Sequence, residues 1–186
     1  MSLQYLEEFE IRPESTDQDA AIWQVAWTQH GVVAARASGT VDVIDMKSML
    51  VKTSIKNEHK LGIVALTRSS NDELLLTSSM DGVVTLWQWC DARLTKVAQR
   101  ASLRGETFDN DAVFQIDVWA SALHPQSMLF AAGGENGNVA VFSAEADSFG
   151  KGIRHLVHDA PESDFCLSLA FTILSPYALF YLHDQV

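Results

Sequence analysis

Basic side chains are scarce in this sequence: 13 Lys and Arg stand against 24 Asp and Glu, a formal charge of −11. A surface so short of cations gains little by neutralising phosphates, which argues against direct binding of nucleic acid or of an anionic membrane. Cysteine is scarcer still. Cys90 and Cys166 are too few and too unpatterned for a disulfide framework or a zinc site, and they suit a reducing, intracellular compartment. No apolar run reaches the roughly 20 residues that span a bilayer, and no charged segment followed by an apolar one opens the chain as a secretory leader does. The expected setting is cytoplasmic or nuclear, without a membrane.

What the chain does contain is short apolar runs in pairs. Residues 74–89 read LLLTSSMDGVVTLWQW: an apolar run, turn chemistry at Met80-Asp81-Gly82, then alternating β-branched and aromatic residues. That is the pattern of an antiparallel hairpin. It recurs upstream as 32–37 and 40–45 around Ser38-Gly39, and downstream as 129–134 and 139–142 around Glu135-Asn136-Gly137-Asn138. Each copy follows another apolar strand (22–27, 63–66, 118–123) and precedes a weaker one, clearest at 50–55 and extended to 94–101 and 153–158. Four short strands per unit, at a spacing of about 40 to 55 residues, is the period of propeller blades. The predicted fold class is all-β, an incomplete propeller of about three and a half four-stranded blades. The expected units are 21–56, 57–101, 114–158 and an aberrant fourth start at 165–186. Closed propellers need about four to eight blades, so the chain reads as part of a longer ring with its outer faces open.

Three segments fall outside that grammar. Residues 102–113 form a charged insertion, read as a solvated loop. Residues 3–11 alternate loosely and offer a strand seeking an edge. The tail TILSPYALFYLHDQV lacks a glycine turn; a strand at 178–182 opposite 167–171 is favoured over a short helix capped by Ser175 with Pro176 at its first position.

His59, the turn Asp81-Gly82 and the strand ending Thr85-Leu86-Trp87 resemble a WD repeat, with His59 at the Gly-His position and Trp87 at the Trp-Asp position. The other units are degenerate, with Ile44-Asp45 and Phe142-Ser143 where Trp-Asp would stand. A narrower resemblance rests on Gln4-Tyr5, the run AIWQVAW at 21–27, KLGIV at 60–64 and DVWASAL at 117–123. These are similar to the family of WD-repeat subunits of the superkiller (Ski) complex, with gaps, from near the N-terminus to Phe171. The resemblance implies a non-catalytic scaffold that holds a tetratricopeptide-repeat protein and an RNA helicase together for exosome-linked 3′ to 5′ messenger-RNA decay. It also implies, in some members, partners in meiotic recombination or transcription elongation. RNA would then be contacted by the partners. An adaptor of another complex, in chromatin or ubiquitin-ligase assembly, is the alternative.

His59, Thr77 and Asp81 invite comparison with a nucleophilic triad. The resemblance implies instead that His59, Thr77, Asp81 and Trp87 form a buried hydrogen-bond chain, with the carboxylate accepting from the imidazole, which satisfies polar groups inside a hairpin. A nucleophile would need exposure at a cleft and an oxyanion site beside it. His155 and His158 fall on opposite faces of a strand, and His30, His124 and His183 lie in loops or tails without companions at ligand spacing. The glycines at 133–137 lie between strands and do not open a helix, unlike a phosphate-binding loop. No metal, cofactor or small-molecule substrate is indicated. Trp23 and Trp119 share one register, at the start of the innermost strand of their units. They are candidates to anchor a partner at a rim of the channel, or else pack between blades; Trp27, Trp87 and Trp89 read as packing residues.

Overall fold

A computed structural model describes residues 21–108, 113, 118–134, 138–156, 165–171 and 179–184. The loosely alternating 3–11 segment, the turn at Asn136-Gly137, His158, the 159–164 loop and residues 172–178 lie outside them.

Alternating β-branched and aromatic residues form fourteen described strands. The first sheet is β1 (Ile22–Thr28), β2 (Gly31–Arg36), β3 (Val41–Ile44) and β4 (Val51–Ile55). The second is β5 (Ile63–Arg68), β6 (Leu74–Ser79), β7 (Val84–Cys90) and β8 (Arg93–Arg100). The third is β9 (Val118–Leu123), β10 (Leu129–Gly134), β11 (Val139–Ser143) and β12 (Gly152–Leu156). A two-stranded sheet, β13 (Phe165–Phe171) with β14 (Leu179–Asp184), follows. All neighbouring strands are antiparallel and in sequence order. The innermost strands lie side by side, β1 against β5, β5 against β9 and β9 against β13. The whole is an open arc of a β-propeller.

Each sheet is apolar on both faces because a neighbour is meant to cover each. Ala26, Val33, Ala35, Val41 and Val43 of the first sheet meet Ile63, Leu66, Leu75, Trp87 and Trp89 of the second. Leu76, Val84 and Leu86, on the second sheet's other face, meet Val118, Leu123, Phe130 and Phe142 of the third. Smaller side chains, Ala120, Ala122 and Ala131, leave room for Cys166 and Leu169 of β13.

Three expectations are corrected. The 102–113 insertion is not a solvated loop throughout: Leu103 and Phe108 are buried between the second and third sheets, and Glu106 accepts the Gly152 N–H at 3.1 Å. Two apolar side chains amid its charges tie it down. Trp27 does not pack; it is 62 % exposed, on the side of the first sheet turned away from the second. His183 lies within β14 and not in a loose tail. The favoured strand reading of the tail matches β14, paired with β13 from Phe171↔Leu179 to Phe165↔Asp184.

Candidate functional site

Two places gather the residues singled out above, and they share the segment between β4 and β5. The first is buried. His59, 3 % exposed, sits in the connection before β5, and Thr77, fully buried, sits on β6. His59 Nε2 lies 2.8 Å from Thr77 Oγ1, and the Trp87 indole N–H donates to the same oxygen at 2.8 Å. Thr77 is thus the junction between a loop and two strands.

Asp81 departs from the expected chain. Its carboxylate accepts the Lys60 N–H at 2.8 Å, the Val83 N–H at 3.1 Å and the Ser79 hydroxyl. With those three donors it holds the turn and the strand-entry loop directly, and His59 Nδ1 is buried without a hydrogen-bond partner. Asp81 acts on His59 only through its charge. Burial lowers the His59 pKa below the ordinary imidazole value, opposed by Asp81 and Glu58. Burial works to raise the Asp81 pKa, but the Ser79 hydroxyl and the Lys60 and Val83 amides bring it, on balance, below the usual carboxylate value. A neutral imidazole wedged against a hydroxyl and an indole can fix a hairpin. It cannot serve as the base of a nucleophilic triad here, because Thr77 has no exposed surface for a substrate to reach.

The second place is open. Trp23 and Trp119, on β1 and next to the start of β9, face one groove of about 410 Å³ lined also by Gln24, Val64 and Met80. They are 45 % and 38 % exposed, so neither is sealed between sheets. A register shift between Ile22 and Gln24 carries Trp23 toward the second sheet, where its ring covers Gly62: a Cβ at residue 62 would lie 2.2 Å from a ring carbon. Gln24 Nε2 donates to Val64 O at 3.1 Å, and the Met80 N–H donates to Gly62 O at 3.0 Å. Three units thus contribute to one rim. Met80 and Val64 were not anticipated; Met80 is readable only as a turn residue until the turn is placed beside Trp23.

The remaining histidines have local duties. His124 Nδ1 accepts the Gln126 and Ser127 amides at 3.1 and 3.0 Å, and His30 packs on Trp89 with centroids 5.0 Å apart. Burial raises the Cys166 thiol to about 11. Among the described residues no three His, Cys, Asp or Glu side chains are placed to hold a metal ion, and no helix is long and apolar enough to cross a membrane.

Residues 51–88, from β4 through most of β7 and including the buried hydroxyl–indole junction, match the family WD domain, G-beta repeat. Curated relatives are WD-repeat proteins at low identity. The chain is 30 % identical over 87 residues to WD repeat-containing protein SL1-17 of Schistosoma mansoni, covering 47 % of this chain and 25 % of the relative. It is 27 % identical over 124 residues to COMPASS component SWD3 of Saccharomyces cerevisiae, covering 66 % of this chain and 35 % of the relative. It therefore spans about a quarter to a third of the length of these relatives. Among solved structures, the β-propeller domain of Cps50 (Swd1) from Myceliophteria thermophila superposes with a TM-score of 0.52 at 21 % identity, over 70 % of this chain and 38 % of that one. A chain of the Mitotic Checkpoint Complex superposes with a TM-score of 0.65 at 17 % identity, over 88 % and 44 %. These likenesses establish the propeller fold.

Proposed function

We propose that this chain is a non-catalytic WD-repeat scaffold whose groove between Trp23 and Trp119 receives a segment of a protein partner. One observation carries the reading: two exposed tryptophans from different units converge on a concave, largely apolar site, while the polar cluster that could suggest chemistry is sealed. Exposed aromatic anchors in a concavity are where protein interfaces concentrate their energy. In this reading each four-stranded sheet is one blade (21–56, 57–101, 114–158), 165–186 begins a fourth, and His59, Thr77, Asp81 and Trp87 maintain the second blade.

The finer assignment is to a Ski-type complex, on the sequence resemblance, with a tetratricopeptide-repeat subunit and an RNA helicase as partners and no direct RNA contact. The net charge of −11 supports the last point. A second reading, an adaptor in a chromatin complex, is favoured by the match to COMPASS component SWD3. The test is co-purification of tagged chain, wild type and Trp23→Ala/Trp119→Ala, from source cells, with partners identified by mass spectrometry. Retention of a helicase and a repeat protein by the wild type, and their loss from the variant at an unchanged melting temperature, is the expected result. Other COMPASS components in their place would move the assignment to the second reading. Salt-sensitive retardation of single-stranded RNA by the isolated chain would overturn the scaffold reading, since salt sensitivity reports phosphate contacts.

A further inference from the structure

One extra residue recurs in the innermost strands. In β1 the pairs Ile22↔Arg36 and Gln24↔Ala35 leave Trp23 without an opposite residue on β2. In β5 the pairs Ile63↔Ser79 and Ala65↔Ser78 leave Val64 so, and in β9 the pairs Val118↔Gly134 and Ala120↔Gly133 leave Trp119. The series continues in β13, where Leu167 falls between Cys166↔His183 and Ser168↔Leu182. Four units thus carry a β-bulge at one register. A bulge breaks the alternation of faces and re-aims the side chain it frees. Trp23, Val64 and Trp119 accordingly line one groove although they come from three sheets.

The three bulged side chains differ in size. β5 lies between β1 and β9, so the valine stands between the two tryptophans, half-buried. An isopropyl group where both neighbours carry indoles leaves a notch. Gln24, the polar member of the lining, has its amide nitrogen engaged by Val64 O at 3.1 Å, and no side chain in the lining is charged. A cation entering the notch would give up water with no carboxylate to meet it. What it gains over an exposed indole face is less than a leucine or phenylalanine gains by full burial.

We propose, resting on the docking reading above, that Val64 is the specificity-determining residue of the groove. The partner segment seats one bulky, uncharged apolar side chain, of the leucine or phenylalanine class, over Val64 and between the Trp23 and Trp119 rings. The size of residue 64 then sets the size of the anchor, and the two rings exclude water from its sides, the condition under which an interface concentrates affinity in one residue.

A random-peptide phage library panned on the full chain, with Trp23→Ala/Trp119→Ala as the counter-selection, tests this. The expected result is a set of peptides that share one leucine, methionine or phenylalanine position and bind about tenfold or more weaker when that position becomes alanine. Val64→Trp fills the notch and should weaken the same peptides about tenfold or more at an unchanged circular-dichroism melt; the same bulge already holds an indole in β1 and β9. Val64→Ala deepens the notch and should raise the affinity for a phenylalanine anchor relative to a leucine anchor about threefold or more, so the outcome does not depend on whether the bulkier variant folds. Selected peptides that share lysine or arginine in place of an apolar residue overturn the apolar notch. Binding indifferent to Val64→Trp, or an anchor preference unmoved by Val64→Ala, overturns the role of Val64 and leaves the groove reading standing. A library that yields no peptide dependent on Trp23 and Trp119 overturns the docking reading, and the anchor with it.

Discussion

The first and second sheets have the same four-strand topology and different ways of burying polarity. The second is covered on both faces, and its interior polar groups are neutral: a hydroxyl, an indole and an imidazole whose charged form burial disfavours. Among the described residues the first has a neighbouring sheet on one face only, and its buried polar pair is ionic, Arg36 with Asp42. A formal charge costs several kcal/mol to remove from water, less where water remains within reach. The sheet enclosed on both sides uses hydrogen bonds without charge, and the sheet at the open end keeps an ion pair. The same four-strand topology thus hides either kind of polar group when each finds a partner, the Arg36 and Asp42 side chains being 10 % and 2 % exposed and bonded to each other.

The largest effect that would break this comparison lies in the covered sheet. Trp87→Ala removes a fully packed indole and the donor to Thr77, and should cost about 4 kcal/mol, read as a shift of the urea midpoint at constant slope. Trp87→Phe, which keeps most of the packing, should recover all but about 1 kcal/mol of it. Equal losses in the two variants would mean that the indole's packing is not what matters.

Next is the open sheet. Asp42→Ala leaves Arg36 without its carboxylate and Ser54 without its acceptor, and should cost about 3 kcal/mol. If the outer face is wet enough to solvate Arg36 the loss will fall below about 1 kcal/mol, as for exposed pairs. That outcome would erase the contrast between the sheets.

The smallest effect is the most diagnostic. His59→Ala should destabilise by about 1 to 2 kcal/mol, since Thr77 keeps the Trp87 N–H. The folded state lowers the His59 pKa, so the unfolded chain binds more protons and stability rises with pH. Its contribution is fully present above the ordinary value of about 6.5 and is lost as pH falls from there through the folded value. Thermal melts of wild type should therefore drop between neutral and mildly acidic pH, and His59→Ala should flatten that slope. His155, also lowered by burial, supplies a residual slope of the same sign. An unchanged slope would remove His59 from the buried network.

The strands were legible because valine, isoleucine and tryptophan alternate with turn residues at regular intervals, and the fold class follows from that period. Side-chain destinations were less so. Trp23 and Trp27 lie four apart on one strand, yet a bulge at Ile22/Gln24 sends one toward the second sheet and leaves the other on the outer face. Alternation alone cannot place a bulge. Nor does the sequence show that Ala92, between β7 and β8, takes a positive φ of 58°, a conformation that a residue with a Cβ rarely adopts. In the buried network the Thr77 junction followed from the repeat resemblance. The unpaired His59 Nδ1 did not, because it depends on which three donors reach Asp81 first.

Gly62 joins the two halves of the site. Its carbonyl is held by the Met80 amide, Lys60 two residues before it is held by Asp81, and the Trp23 ring rests on its Cα. The floor of the open groove is therefore anchored through the turn that the buried hairpin stabilises. For the proposed partner segment the groove is preorganised: the Trp23 indole is already seated, so the docking proposed above would cost less rotamer entropy in ordering it. Any side chain at residue 62 would unseat that ring, and under the proposed docking it would weaken association through the unbound state.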